Sequence, residues 1–187
     1  MEKKKNCLFF IADQLRADSL SCLGNTELTT PNYDALADEG ILFENAFCQS
    51  PICVPSRCSF NTGWYPHTNG HRTIHYFLEK EDPSLMKSLK KNGYHVYLMG
   101  KSHYFNRQDE AEMQATCDLE YIGYEMSTNA IHRIGQAVSP AEIAENPHYY
   151  SFYFGEMTKE EAAKTQDDLV IERTLEMIRN KELKEPF

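Results

Sequence analysis

Residues 84–103 read SLMKSLKKNGYHVYLMGKSH. The first half has a helical rhythm and collects Lys87, Lys90 and Lys91 toward its end, where the helix macrodipole favours cations. Asp82-Pro83 precedes it as a start signal and Gly93 follows it as a stop. YHVYLM, 94–99, is then a short apolar run suited to a buried strand. The strand runs at once into Gly-Lys-Ser-His. A helix, a glycine, a strand and a polar turn in that order make the unit from which parallel α/β sheets are assembled.

Working outward, the same alternation recurs. NCLFFIA, 6–12, reads as a buried strand that stops at Asp13-Gln14. Thr30-Pro31 reads as an N-cap followed by proline at the first helical position, with Gly40 as the stop. ILFENAF, 41–47, reads as a second strand. Pro55 suits the first turn of a helix to about Asn61, ended by Thr62-Gly63. Strand, helix, strand, helix, strand predicts an α/β fold: a mostly parallel sheet flanked by helices. Beyond it, residues 104–155 read as a variable insert, with a short helix at Ser139-Pro140 and aromatic residues crowded from Tyr149 to Phe154. Thr158 and Glu161 form a capping box for a long helix to about Lys181, with Ala162, Leu169, Leu175 and Ile178 on its apolar face. The closing Lys-Glu-Pro-Phe would normally lead into another strand, so the expectation is the N-terminal part, 1–187, of one larger catalytic domain.

Bulk properties narrow the function classes. Apolar residues make up 41% and charged residues 25%, a balance that supports a folded globular chain. The net charge of −9, with no basic stripe, argues against a nucleic-acid partner. MEKKKNCLFFIADQ has too short an apolar run for a signal peptide, and no stretch approaches membrane-spanning length. The reading is a cytoplasmic chain without a membrane partner. Its cysteines at 7, 22, 48, 53, 58 and 117 are then expected to be reduced thiols, and none forms a C-x-x-C pair.

Ligands of open parallel sheets bind beyond the carboxyl ends of the strands. Two predicted strands end in useful chemistry. One delivers Asp13 and Gln14, oxygen donors for a hard cation. The other delivers Lys101 and His103, a cation and a proton donor for an anion. The segment SPICVPSRCSFNTG, 50–63, adds Cys53 with Arg57 four residues on. A metal clip, a disulfide, a nucleophilic thiol, a modified cysteine and an inert buried thiol all remain open there. The Cys48, Cys53, Cys58 spacing of five matches no common zinc site. A position just before a helix favours negative charge, whether thiolate or anionic ester.

The residues Cys53-Val54-Pro55-Ser56-Arg57 with Thr62-Gly63 resemble the signature of the sulfatase family, within the alkaline-phosphatase-like superfamily. Asn61 stands where the family usually has leucine. Ile11-Ala12-Asp13-Gln14 with Arg16 and Asp18, Thr30-Pro31-Asn32 with Leu36 and Gly40, Trp64-Tyr65-Pro66-His67 with Asn69-Gly70, and Gly93-Tyr94 with Gly100-Lys101-Ser102-His103 resemble further family blocks in order. His71 and Arg72 fall in a less defined block.

The resemblance implies that Cys53 is oxidised to formylglycine by a dedicated maturation enzyme that reads Pro55 and Arg57. It implies that one hydroxyl of the hydrated aldehyde attacks sulfur as the substrate's alcohol leaves, and that the second, once deprotonated, collapses to the aldehyde and expels sulfate. It implies Asp13, Gln14 and residue 53 as ligands of a divalent metal, Ca²⁺ first, with Mg²⁺ or Mn²⁺ as alternatives. Arg57 would hold the modified side chain or metal-side charge, while Lys101 and His103 would contact sulfate or assist proton transfer. Asp-Gln in place of the commoner Asp-Asp resembles the branch of choline sulfatases and phosphonate monoester hydrolases. The resemblance thus implies a small sulfate ester as substrate and leaves a phosphoester or phosphonate open. A non-catalytic α/β module that kept these motifs is the reading from a different class. No Asp-His or Asp-Asn block follows position 103 to complete the metal shell, and Asp109, Asp118, Asp167 and Asp168 lie in predicted loop or helix.

Overall fold

The structure, a computed structural model, describes residues 3–105, 110–121 and 166–187. The expected Ser139-Pro140 helix, the aromatic crowd at 149–154 and the Thr158 capping box lie outside the described residues, as does Asp109. The chain divides into two compact units, Cys7–Pro83 and Met1–Asn6 with Ser84–Phe187.

In the Cys7–Pro83 unit, helix α1 spans Pro31–Glu39 with proline at its start. Thr30 occupies the N-cap position, but its hydroxyl does not cap. It exchanges hydrogen bonds with Ser21, whose hydroxyl also reaches Asp34 at 2.8 Å. The polar start of α1 is therefore tied to the 3₁₀ turn Ser21–Leu23. Helix α2 spans Cys53–Thr62, beginning two residues before the expected Pro55. Gly63 ends it in the left-handed region at φ 76° and donates its N–H to Ser59 O at 2.8 Å. Val54 and Cys58, four apart on one stripe, are 1% and 0% exposed and anchor this helix. Phe60 meets Phe9 edge to face at 5.4 Å.

Two expectations change here. The runs 6–12 and 41–47 belong to no strand among the described residues. A strand exists through its ladder, and neither run has a ladder partner there. Their side chains lie open to solvent, from Leu8, Phe9 and Phe10 to Ile41, Phe43 and Phe47, the last 86% exposed.

The other unit holds a parallel pairing of the strand expected at 94–99, but its partner lies in the stretch that reads from sequence as a variable insert. Helix α3 spans Leu85–Lys91, and its N-cap is Ser84, whose Oγ accepts from the Lys87 N–H at 3.2 Å. Asp82 was expected as the start signal but takes no part in the cap. Strand β1, Tyr97–Met99, leads through helix α4, Glu110–Thr116, to strand β2, Leu119–Tyr121. The strands pair in parallel, with Tyr97 opposite Leu119, Leu98 opposite Glu120 and Met99 opposite Tyr121. β1 is shorter than the predicted 94–99 because its first N–H groups go elsewhere. Tyr94 donates to Leu89 O, His95 to Pro186 O, and Val96 to the Asp118 carboxylate. Helix α5, Gln166–Arg179, lays Val170 against Gly100. A Cβ on Gly100 would meet Val170 at 3.3 Å, and the φ of 88° is one that side chains rarely tolerate.

Asp118 stitches the start of β1 to β2. Its Oδ2 accepts from the Val96 N–H at 2.7 Å, its own N–H donates to Val96 O at 2.7 Å, and Lys90 Nζ and His95 Nδ1 stand 3.2 and 3.6 Å away. Burial pushes this carboxyl up, but the Val96 N–H, Lys90 and His95 together outweigh it and hold the pKa below its ordinary value. Folding thus favours the ionised form. That stabilisation is complete above the unfolded pKa of about 3.9 and is lost as pH falls through the lower folded value. Denaturant melts of this unit should weaken below about pH 4. Asp118→Asn should lower stability at neutral pH and flatten that acid slope, and an unchanged slope would remove Asp118 as its source.

Candidate active site

Cys53 is the first residue of α2 and is half-buried, behind an extended Ile52 at φ −119° and ψ 136°. Backbone N–H groups of a helix's first turn have no intrahelical acceptor, so negative charge on residue 53 would be met by the positive end of α2. Arg57 follows one turn later on the same stripe and is buried. Its Nη2 lies 4.0 Å from Asp13 Oδ2, the outer limit of an ion pair. Asp13 is partly open, and Gln14 beside it sits in the left-handed region at φ 58°. A side-chain-bearing residue held there carries backbone strain of about 1–3 kcal/mol, which concentrates at functional positions. Arg16 and Asp18 form an exposed ion pair with each other. The side-chain hydrogen bond between them raises the Arg16 pKa and lowers that of Asp18. They are a closed surface pair.

Lys101 and His103 belong to the other unit, in the turn after β1. Gly100 donates to Tyr121 O at 2.6 Å, and the buried Ser102 Oγ donates to Glu120 Oε1 at 2.5 Å. His103 takes φ 52°, so the turn is bent at both ends by left-handed residues. Lys101 faces solvent and His103 is half-buried. The structure therefore joins Asp13 to Arg57 and sets Cys53 on the same helix. Lys101 and His103 flank Ser102 in the turn after β1. Sequence reasoning missed Glu120, whose contact with Ser102 exists only through the β1–β2 register and leaves no local sequence signal.

Among the described residues, no three His, Cys, Asp or Glu side chains gather as a metal ion would require. Asp13 and Gln14 offer oxygens of the right hardness but supply only part of the six to eight that Ca²⁺ takes. The described residues fit a fraction of such a shell.

The thiols separate by environment. Burial, reinforced by Asp82, pushes Cys58 up to about 12. Burial, with Glu120 next, pushes Cys117 up to about 11. Alkylation reads thiolate and exposure together. At pH 8 we expect iodoacetamide to label exposed Cys7 and Cys48 within minutes. Cys58 and Cys117 should label only after denaturation, as peptide mass spectrometry would show. Native labelling of Cys58 at the rate of Cys48 would contradict the packing described for α2.

The profile of the sulfatase family matches residues 5–187. The chain belongs to the sulfatase family. Over 103 residues this sulfatase chain is 43% identical to an ulvan-active sulfatase of Formosa agariphila, covering 55% of the chain and 21% of that protein. Over 111 residues it is 34% identical to human arylsulfatase D, covering 54% of the chain and 19% of that protein. The matched stretch thus spans about a fifth of the length of these relatives. The fold is similar to that of the phosphonate monoester hydrolase of Agrobacterium radiobacter, with a TM-score of 0.62, 21% identity, and coverage of 94% of this chain and 38% of that one. The alkaline-phosphatase-like α/β fold expected from the sequence is thereby borne out. Among the described residues, no helix is long and apolar enough to cross a membrane.

Proposed function

We propose that this sulfatase-family chain carries the nucleophile-bearing part of a site that hydrolyses small sulfate esters. The observation that carries the reading is Cys53 as the first residue of α2, with Arg57 one turn on beside Asp13. In this reading Cys53 is converted to formylglycine by a maturation enzyme, and residue 53 supplies the oxygen nucleophile. The start of α2 and Arg57 stabilise negative charge gathering there. Asp13 and Gln14 donate oxygens to a divalent metal, Ca²⁺ first and Mg²⁺ or Mn²⁺ next, which when bound would polarise the ester. Lys101 binds sulfate oxygens, and His103 moves a proton to or from the ester. Residues 1–187 are part of one catalytic domain, and the protein works in the cytoplasm.

Phosphonate or phosphodiester hydrolysis is the second reading. The Asp13-Gln14 pair favours it, and the fold neighbour is named as a phosphonate monoester hydrolase. One experiment separates the readings. The protein in its native polypeptide context is coexpressed with a formylglycine-generating enzyme, and the Cys53 peptide is weighed. Conversion lowers its mass by about 18 Da, where ordinary thiol oxidation raises it. Converted protein is then given paired aryl sulfate and phenyl phosphonate esters with Ca²⁺. Faster sulfate turnover supports the first reading and faster phosphonate turnover the second. Conversion without turnover of either favours a non-catalytic module.

A further inference from the structure

The loop that follows α2 carries a buried charge arrangement that the chemistry above does not use. His71 and Asp82 have side chains only 5% and 4% exposed, and His71 Nε2 lies 3.0 Å from Asp82 Oδ2. On the other side of the ring, Nδ1 faces Tyr76 O at 3.1 Å. Both neighbours are acceptors. A ring nitrogen without a proton would set its lone pair against one of them, out of reach of water. A ring protonated on both nitrogens would turn a donor toward each neighbour, the Nε2 contact with Asp82 being a close charge approach and not an aligned hydrogen bond. Asp82 accepts two further hydrogen bonds: Asn69 Nδ2 donates to Oδ1 at 2.7 Å and the Glu79 N–H donates to Oδ2 at 2.8 Å. The same Tyr76 carbonyl is approached by Cys58 Sγ at 3.9 Å, from the buried stripe of α2.

We propose that His71 and Asp82 form a buried imidazolium–carboxylate pair that fastens the 69–82 loop over α2 and thereby holds the helix bearing residue 53 in place. His71 and Asp82 are positioning residues, since neither touches the candidate reacting atoms. Their bearing on catalysis rests on the sulfate-ester reading, whereas the fastening itself does not. The loop closes at three points: Asn69 and Glu79 on Asp82, and His71 between Asp82 and the Tyr76 carbonyl. Its apposition to Cys58 makes the α2 surface its floor. Removing His71 strands the Asp82 carboxylate as an uncompensated buried charge, and removing Asp82 leaves the ring without its partner, both worse than losing an exposed pair.

The test reads the ring and the helix directly and needs no turnover. Nitrogen-15 spectra of the intact chain at neutral pH should show both His71 ring nitrogens in the protonated range. In Asp82→Asn the ring should lose one proton and keep the one on Nδ1, toward Tyr76 O. Hydrogen exchange of the α2 amides from Arg57 to Gly63 should accelerate roughly 10-fold or more in that variant, because the opening of this unit becomes easier. Exchange in β1 and β2 serves as the internal reference and should not change. If Asp82→Asn does not fold, His71→Gln, which can still donate to one acceptor, should fold and show the faster α2 exchange. A wild-type ring carrying a single proton would overturn the proposal. So would α2 exchange unchanged in the variants. Loss of sulfatase turnover with these readouts intact would instead count against the function reading.

Discussion

Alanine at position 53 is expected to lower sulfate-ester turnover by on the order of 10⁴-fold or more, the scale seen when an enzyme loses its covalent nucleophile. The reason is positional. In the proposed reading, residue 53 supplies the oxygen nucleophile from the first position of α2, one turn before Arg57 on the same stripe. Serine at 53 separates two parts of the chemistry. It keeps an oxygen at the same point and can accept the sulfo group, but it has no second hydroxyl with which to expel it. Cys53→Ser should therefore give less than one turnover and a stably modified peptide bearing one sulfo group. Cys53→Ala should give neither. The measurement is a single-turnover assay in the native polypeptide context, followed by peptide mass spectrometry. Multiple turnovers by the alanine variant would dismiss Cys53 as nucleophile precursor.

The largest effect on stability is expected five residues further along the same helix. Cys58 is 0% exposed, and burial together with the Asp82 carboxylate already pushes its thiol up to about 12. Cys58→Asp would place a carboxylate against that charge, in a site that cannot hydrate it. Leaving a buried charge without a partner costs about 3–5 kcal/mol. That is a large share of the about 5–15 kcal/mol that a domain has in total. We expect the Cys7–Pro83 unit to lose cooperative unfolding and its slow-exchanging α2 amides. Cys48→Asp, at an exposed position, should change stability by no more than about 0.5 kcal/mol. Equal midpoints for the two variants would show that Cys58 is not in a closed core.

Several features were legible because they depend on near neighbours. The i, i+4 spacing of Cys53 and Arg57 sets them one turn apart in any helix. The stops at Gly63 and Gly93 follow from left-handed φ values, 76° and 78°, that glycine takes most easily. Of the β1–α4–β2 crossover, only β1 was legible, because α4 and β2 fall in the stretch 104–155 that reads as a variable insert. The runs 6–12 and 41–47 misled for the converse reason. Apolar composition says that a segment would be buried if something covered it, and the ladder that makes it a strand must come from residues elsewhere. Asp82 misled differently. Asp-Pro is a strong local helix-start signal, but Ser84 two residues on took the cap, and the buried loop took the aspartate.

The sequence by itself determined the sulfatase family, the order of its motif blocks and the helical spacing that joins residue 53 to Arg57, since these rest on residue identity and local geometry. Only the tertiary structure decided that Asp82 meets His71, that Ser102 meets Glu120 and that Cys58 lies at zero exposure under the 69–82 loop. Each of those contacts draws its strength from exclusion of water. That is a property of how separated segments pack, which no single stretch of chain contains.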